Sequence, residues 1–278
     1  MGLFSRLPFI GRGDAPQVTV LALRGAIGVR GPFSSGLSMD RLVRPIAAAF
    51  RPKRLAAVAL LVNSPGGSPV QSSLIARRIR DLADEKGVPV FAFVEDVAAS
   101  GGYWLACAAD EIWVDDCSLV GSIGVVAAGF GFQDLIARIG VERRVHTAGT
   151  RKVILDPFRP EHGEDLEKLE ALQRDIHTAF IAHVRARRSG RLAADDATLF
   201  SGEFWTGAEG RSLGLVDGIG HAHGVLRAKF GNKVQLRPVT AERGLLRRFS
   251  RAEGRGVAAL DSVVAAVEDR LLWSRYGL

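Results

Sequence analysis

Short, almost wholly apolar segments alternate along the first half of the chain with longer segments whose apolar residues recur every three or four positions. The apolar segments predict β-strands at residues 17–27, 56–63, 88–95 and 111–115, because strands covered on both faces lack a polar side. The periodic segments predict helices at residues 37–50, 70–86 and 99–109. This alternation indicates βαβ units around a parallel sheet, and therefore an α/β fold.

The pattern changes in the second half. A strand is predicted at residues 141–147, and a long amphipathic helix at residues 164–188 follows a proline-containing loop. Shorter helices at 193–200 and 208–213 flank a predicted strand in the segment EFWTG, and residues 234–238 are a candidate closing strand. We expect one domain over residues 17–240. A disordered or surface-docking tail at 1–16 precedes it, and a basic linker with a terminal amphipathic helix at 241–278 follows it.

Composition excludes several classes of protein. The chain has 278 residues, of which 47% are hydrophobic and 24% charged, as in ordinary globular domains. No run approaches the ~20 apolar residues that span a bilayer, and the N-terminus lacks the pattern of a signal peptide. The net charge of +7 owes much to arginines at residues 243–255, and a basic tail beside a balanced body argues against nucleic-acid binding.

The two cysteines, Cys107 and Cys117, stand ten positions apart without a CxxC motif. Two cysteines at this spacing exclude a disulfide scaffold and argue against a zinc site. We expect both thiols to be reduced and buried, in a cytoplasmic protein. We expect no cofactor. The basic ends of the chain are expected to make at most a peripheral contact with an anionic membrane.

Three segments carry candidate chemistry. The segment NSPGG, residues 63–67, follows an apolar strand, and its glycines leave backbone N–H groups unshielded, which suits an oxyanion or simply a tight turn. Ser100 begins a predicted helix among small residues, where its hydroxyl can face a cleft or cap the helix. Lys152 has apolar neighbours that can favour a neutral amine able to take a proton from serine, yet it can equally be a solvated surface lysine.

Four ordered motifs, NSPGGS, AASGGYW, VGSIGV and GTRKVILDPF, resemble the signal peptide peptidase A family of bacterial serine peptidases over residues 17–240. The resemblance implies a crotonase-like fold, shared with the Clp proteolytic subunit. It also implies that Ser100 is the nucleophile, Lys152 the general base, and Ser122 the serine that orients the lysine. The backbone N–H groups of Gly67 and Gly101 would form the oxyanion hole.

The same resemblance implies an endopeptidase that cleaves apolar peptides, such as signal-peptide remnants or unfolded chain segments, through an acyl-enzyme. Family members of about this size assemble as rings in which neighbouring subunits supply the serine and the lysine. We therefore expect a homo-oligomer with active sites at subunit interfaces. Many family members carry an N-terminal membrane span that this sequence lacks, which puts membrane anchoring in doubt.

Three other readings compete with a Ser-Lys peptidase. A crotonase-fold acyl-CoA hydratase or thioesterase would use carboxylates, for which only Glu95 and Asp96 lie near Ser100 in sequence. A histidine-dependent peptidase could use His146, but a Clp-like one would need a histidine near residue 125, where Val125 stands. A non-catalytic scaffold of the same fold would not need the intact set of Ser100, Ser122 and Lys152.

Overall fold

A computed structural model describes residues 15–28, 36–149, 151–239, 267 and 270–278. The first half of the chain alternates strands and helices: β1 (Gln17–Arg24), α1 (Met39–Ala49), β2 (Leu55–Ser64), α2 (Pro69–Lys86), β3 (Val90–Ala99), α3 (Gly101–Ala106), β4 (Glu111–Val114) and β5 (Leu119–Gly121). The second half is mostly helical: α4 (Gln133–Arg138), α5 (Gly163–Arg187), α6 (Asp196–Leu199), β6 (Phe204–Thr206), α7 (Gly207–Ser212), β7 (Gly218–Ile219), α8 (Ala222–Phe230) and β8 (Gln235–Pro238).

These strands form one eight-stranded sheet with the order β6-β5-β3-β2-β1-β8, and β4 links β3 to β7 beside this path. All pairs are parallel except β5 with β6. The sheet divides along β3, because residues 91–93 pair with β4 whereas residues 97–99 pair with β5. The predicted α/β fold with parallel βαβ units is thus confirmed, and the division places the end of β3 beside β5.

Alternate residues of the central strands enter two separate cores. Leu60 of β2 and Ala92 of β3 belong to the larger core, which the helices α1, α2, α3 and α5 help to fill. Ala59 and Phe93 face the other way, into a smaller core that contains Leu226 of α8. Both faces of the sheet are therefore covered, as the wholly apolar strand segments predict.

Several local predictions are wrong. Residues 141–147 form no strand: they lie in an irregular, largely exposed segment, and no strand among the described residues pairs with them. The helix predicted from residue 99 begins at Gly101, because β3 continues to Ala99. Cys107 is buried as expected, but Cys117 is exposed, in the turn between β4 and β5.

The ends of the chain are only partly described. The tail at 1–16, except for residues 15 and 16, and the linker at 241–256 lie outside the described residues. Of the terminal helix predicted at 257–273, only residues 267 and 270–273 are described, and they are helical. The predicted domain limits remain predictions.

Candidate active site

Ser100 stands at a sharp turn between β3 and α3. Its backbone has φ 52° and ψ −122°, a conformation that serine rarely adopts, and its side chain makes no capping hydrogen bond. The Ser100 N–H donates to the carbonyl of Gly121 at 2.8 Å, and its own carbonyl accepts from the Trp104 N–H at 3.0 Å. The backbone is therefore held on both sides, while the half-buried hydroxyl is left free of a structural task in the described part of the chain.

Gly66, Gly67 and Gly101 lie against this turn. A Cβ on Gly66 would fall 2.8 Å from Ser100 Cβ, and a Cβ on Gly101 would fall 3.4 Å from the Gly67 nitrogen. The bridge between Ile27 and Gly67 uses the N–H groups of Ile27 and Ser68 and leaves that of Gly67 out. Gly101 is the first residue of α3, so its N–H has no acceptor within the helix. Two backbone donors thus stand close together beside Ser100.

Ser122 approaches the same turn from β5. It is half-buried, has φ 53°, and its N–H donates to the Glu203 carbonyl at 2.6 Å. The preceding residue, Gly121, accepts the Ser100 N–H. Ser122 is therefore the residue directly after Gly121, whose backbone is hydrogen-bonded to Ser100.

Lys152 is not joined to these residues within one chain. It is exposed, and no hydrogen bond links it to Ser100 or Ser122 in the described residues. It lies in a segment that we call the arm, residues 126–160, which includes α4. The arm is anchored to the first turn of α5, because the Arg151 guanidinium donates to the Glu164 carbonyl at 3.0 Å.

The arm is unusually apolar for a surface. Not one residue of α4 is buried. Its internal contacts include an ion pair of Arg143 with Asp156 at 2.8 Å, whose hydrogen bond lowers the pKa of Asp156. Its exposed large apolar side chains are Val126, Phe130, Phe132, Leu135, Ile139, Val141, Val153 and Ile154. Eight exposed large apolar side chains on one segment are typical of a contact with another protein chain.

The residues required by the competing readings are engaged elsewhere or distant. Glu95 forms an ion pair with Arg24, and the Asp96 carboxylate accepts a hydrogen bond from the Asn63 amide at 2.6 Å. His146 lies exposed in the arm, with no carboxylate partner among the described residues. A cavity of about 400 Å³ includes Glu95 and Asp96 in its lining but none of the predicted site residues. Within one chain, the described residues therefore assemble neither a carboxylate nor a histidine base at Ser100.

A buried polar network supports α3 behind Ser100. The Tyr103 hydroxyl donates to the Leu215 carbonyl at 2.7 Å, and burial raises the pKa of this phenol well above its ordinary value. Burial likewise raises the pKa of the Cys107 thiol to about 12. Burial is the largest single influence on Arg188 and opposes its charge, but the hydrogen bond to Asp217 at 2.6 Å and the neighbouring charges together outweigh it and raise the pKa of the guanidinium. These groups hold fixed protonation states at neutral pH.

Three residues near the site have no signal in the sequence motifs. His177 of α5 contacts the Ile123 carbonyl through Nε2 at 3.0 Å, and it lines a cavity of about 190 Å³ together with Val125. Phe204 of β6 is 42% exposed and pairs with Gly121. Tyr276, near the end of the chain, reaches Ser122 with its hydroxyl at 3.3 Å. Only their positions in the folded chain reveal them, because each lies far from the motifs in sequence.

Comparison of the sequence with known protein families identifies the family of this chain. A profile of peptidase family S49 matches residues 83–234, more than half of the chain, so the chain belongs to this family. Membership favours the peptidase reading over an acyl-CoA enzyme of the same fold.

Individual relatives support the family and show the fold. One relative is the chloroplastic serine protease SPPA of Arabidopsis thaliana, with 33% sequence identity. The match covers 75% of this chain and 31% of that protein. Another is a protein named Na⁺/H⁺ antiporter NhaA from Brucella abortus, with 49% sequence identity. That match covers the whole of this chain and 39% of the relative. The chain thus spans well under half of both relatives. Among solved structures, one match is the 1510-N membrane-bound stomatin-specific protease, as a lysine-to-alanine variant in complex with a substrate peptide. The superposition covers 92% of this chain and 99% of the protease chain. Its TM-score is 0.54 at 15% identity, which shows the same crotonase/Clp-like fold.

Among the described residues, every helix is too short or too polar to span a lipid bilayer. The cytoplasmic location remains a prediction.

Proposed function

We propose that this chain is a serine endopeptidase that cleaves apolar peptides, with Ser100 as nucleophile and Lys152 as general base. The proposal rests above all on the turn at Ser100. A serine hydroxyl is held there in a strained backbone conformation beside the N–H groups of Gly67 and Gly101. Strained residues of this kind persist where the surrounding structure fixes them for a task, and paired N–H donors are what a tetrahedral oxyanion requires.

The reaction follows from these positions. Ser100 Oγ attacks the peptide carbonyl while a neutral Lys152 amine takes its proton, and the carbonyl oxygen becomes an oxyanion between the two N–H groups. The lysine then gives the proton to the leaving amine, which departs and leaves an acyl-enzyme. Water, deprotonated by the same lysine, attacks the ester, and the lysine returns that proton to Ser100 Oγ as the acyl group leaves as a carboxylic acid. Ser122 holds the amine in place through its hydroxyl.

We further propose that the lysine reaches Ser100 from a second copy of the chain. Within one chain Lys152 is exposed, and no hydrogen bond joins it to Ser100 or Ser122 in the described residues. Covering the apolar arm with another subunit would remove both the exposed apolar surface and the water around Lys152. One contact would thus complete the site and neutralise its base, which is why we assign the homo-oligomer to the active form.

Hydrolysis of an apolar fluorogenic peptide by three variants tests the assignment. Ser100→Ala and Lys152→Ala should each lower kcat by at least about 10³-fold, because each removes a group needed for acylation. Lys168→Ala is the matched control: Lys168 is also exposed, lies on α5, and should retain full activity. Undiminished cleavage by Lys152→Ala would reject the lysine base, and undiminished cleavage by Ser100→Ala would reject the nucleophile. Hydrolysis of acyl-CoA without cleavage of the peptide would favour the acyl-CoA enzyme instead.

A further inference from the structure

His177 of α5 is hydrogen-bonded to the residue that directly follows Ser122. Its imidazole Nε2 lies 3.0 Å from the carbonyl oxygen of Ile123, a residue whose side chain is fully buried. A carbonyl oxygen only accepts hydrogen bonds, so this nitrogen carries the hydrogen in the contact. The long helix α5 thus holds the backbone next to a residue of the candidate active site.

Residues 122–124 form a tight turn around this carbonyl. The Gly124 N–H donates to the Ser122 carbonyl at 3.0 Å, which is the bond of a γ-turn with Ile123 at its centre. The Ser122 N–H donates to the Glu203 carbonyl at 2.6 Å, and Ser122 has φ 53°, a conformation that is rare for a residue with a side chain. Such a conformation persists only where the surrounding structure fixes it.

Two parts of the body fix this turn. The chain just before β6 supplies the Glu203 carbonyl and, at Gly202, a backbone whose Cα would lie 2.9 Å from a Cβ on Gly124. Helix α5 supplies His177, which holds the carbonyl in the middle of the turn. Directly beyond the turn, residues 126–132 of the arm are all exposed. His177 therefore stands where the chain leaves the body and enters the arm.

The hydrogen bond is the main specific contact that the His177 side chain makes. His177 is half-buried and borders a cavity of about 190 Å³ together with Val125 and Gln173. A side chain beside a cavity has fewer packing contacts than one that core residues surround. Its polar contact with Ile123, rather than its volume, is therefore what a substitution removes first.

We propose that His177 is a positioning residue of the peptidase: by holding the Ile123 carbonyl, it directs the Ser122 hydroxyl towards the Lys152 amine. This inference rests on the proposed function. In the proposed assembly the lysine arrives from another subunit, so the hydroxyl that receives it has to be aimed by the chain that carries Ser100. Loss of the hydrogen bond should leave the Ser100 turn intact and disturb proton transfer alone.

Steady-state hydrolysis of an apolar fluorogenic peptide by the full-length oligomer tests the inference. His177→Leu should lower kcat about 3- to 10-fold, the factor that corresponds to one neutral hydrogen bond. KM should not change, because Ser122 acts in proton transfer and not in substrate binding. His177→Gln keeps an N–H donor at similar reach and should restore most of the activity, whereas His177→Asn is too short to do so. Gln173→Leu, on the same helix and beside the same cavity, is the matched control and should retain full kcat.

A double-variant cycle with Ser122→Ala separates positioning from a structural role. Ser122→Ala alone should lower kcat roughly 10- to 100-fold, as misplacement of a reacting group does. Adding His177→Leu to it should cause no further loss, because the hydroxyl through which His177 acts is gone. A merely structural His177 would cost the same factor with and without Ser122, and that result would overturn the inference.

The remaining outcomes are equally decisive. Unchanged kcat in His177→Leu or in Ser122→Ala, or a loss that His177→Gln does not reverse, would overturn the inference and leave the peptidase standing. If His177→Leu does not fold, His177→Asn replaces it in the cycle, with circular dichroism and sedimentation as checks of fold and assembly. Undiminished cleavage by Ser100→Ala would instead overturn the proposed function, and the inference with it.

Discussion

Ser100 keeps a backbone conformation that costs on the order of 1–3 kcal/mol for a residue with a side chain. The neighbouring contacts explain why it persists. Its N–H and carbonyl are both bonded, and Gly66 packs so closely that no other residue type would fit beside it. The strain directs the hydroxyl away from the capping position that serine usually takes at a helix start. The geometry therefore argues against the interpretation of Ser100 as a helix-capping residue.

Gly67 offers a residue-scale prediction. A Cβ at this position would fall 2.1 Å from the Ile27 carbonyl oxygen, at φ 136°, so Gly67→Ala must displace the backbone that carries the proposed oxyanion donor. We expect peptide hydrolysis to fall by at least about 100-fold, as after loss of an oxyanion-hole donor.

Gly87→Ala is the control for this substitution. Gly87 also has positive φ, at 61°, but a Cβ there meets nothing within 4 Å. Its replacement should cost about 1 kcal/mol of stability and leave the activity unchanged. Equal activity of the two variants would show that Gly67 contributes nothing to the reaction.

At the scale of elements, α5 stabilises the position of α3. His183 of α5 stacks on Trp104 of α3 with ring centroids 5.1 Å apart, and its Nε2 lies 3.1 Å from the Trp104 carbonyl oxygen. Burial lowers the pKa of His183 from 6.5 to about 4, so the folded protein holds this imidazole neutral. The neutral ring can donate Nε2–H to the carbonyl, which is the contact that joins the two helices.

This histidine makes stability depend on pH. Between pH 6.5 and about 4 the unfolded chain binds a proton at His183 that the folded chain does not. The free energy of unfolding should therefore fall as the pH falls through this window, by up to roughly 3 kcal/mol from this group. His183→Phe should flatten that part of the profile in urea-unfolding measurements, whereas His146→Gln, at an exposed histidine, should not. Identical profiles for His183→Phe and the unchanged protein would assign the pH dependence to other groups.

Some secondary-structure elements could be predicted from sequence patterns and others could not. Strands β1 to β4 were predictable because their apolar runs are covered on both faces, and α5 because its amphipathic repeat is long. Residues 141–147 contain the β-branched residues Val141, Val145 and Thr147 but pair with no strand among the described residues, and α4 buries none of its side chains, so neither could be judged from the local pattern. Tyr276 meets Ser122, and Phe204 pairs with Gly121, only in the folded chain, and no motif spacing predicts either contact.

At the scale of the whole molecule, the arm is the part that we propose another subunit covers. It exposes eight large apolar side chains and carries Lys152 away from contact with Ser100 in the described residues. The motifs predict a site of Ser100, Ser122 and Lys152, and the family resemblance predicts that a neighbouring subunit supplies the lysine; both stay predictions. Assembly and catalysis are therefore expected to fail together.

Charged substitutions on α4 test this coupling. Leu135→Glu and Ile139→Glu place a carboxylate on side chains that are 54% and 65% exposed, so the fold of one chain should tolerate them. If the arm binds another subunit, each loses the burial of an apolar side chain, about 1.5–3 kcal/mol per contact, and buries a charge as well. Sedimentation should show smaller species, with activity reduced in proportion. Val43→Glu, at an exposed apolar residue of α1, should change neither, and unchanged assembly of both α4 variants would exclude the arm as the interface.

The most direct measurement mixes two inactive proteins. Ser100→Ala retains Lys152, and Lys152→Ala retains Ser100, so a site formed between two chains is complete where one variant meets the other. After the two are dissociated and reassembled in equal amounts, we predict recovery of about a quarter of the original peptidase activity, as random pairing across a cyclic interface gives. Mixed assemblies that remain as inactive as either parent would contradict the account of a serine and a lysine joined across subunits.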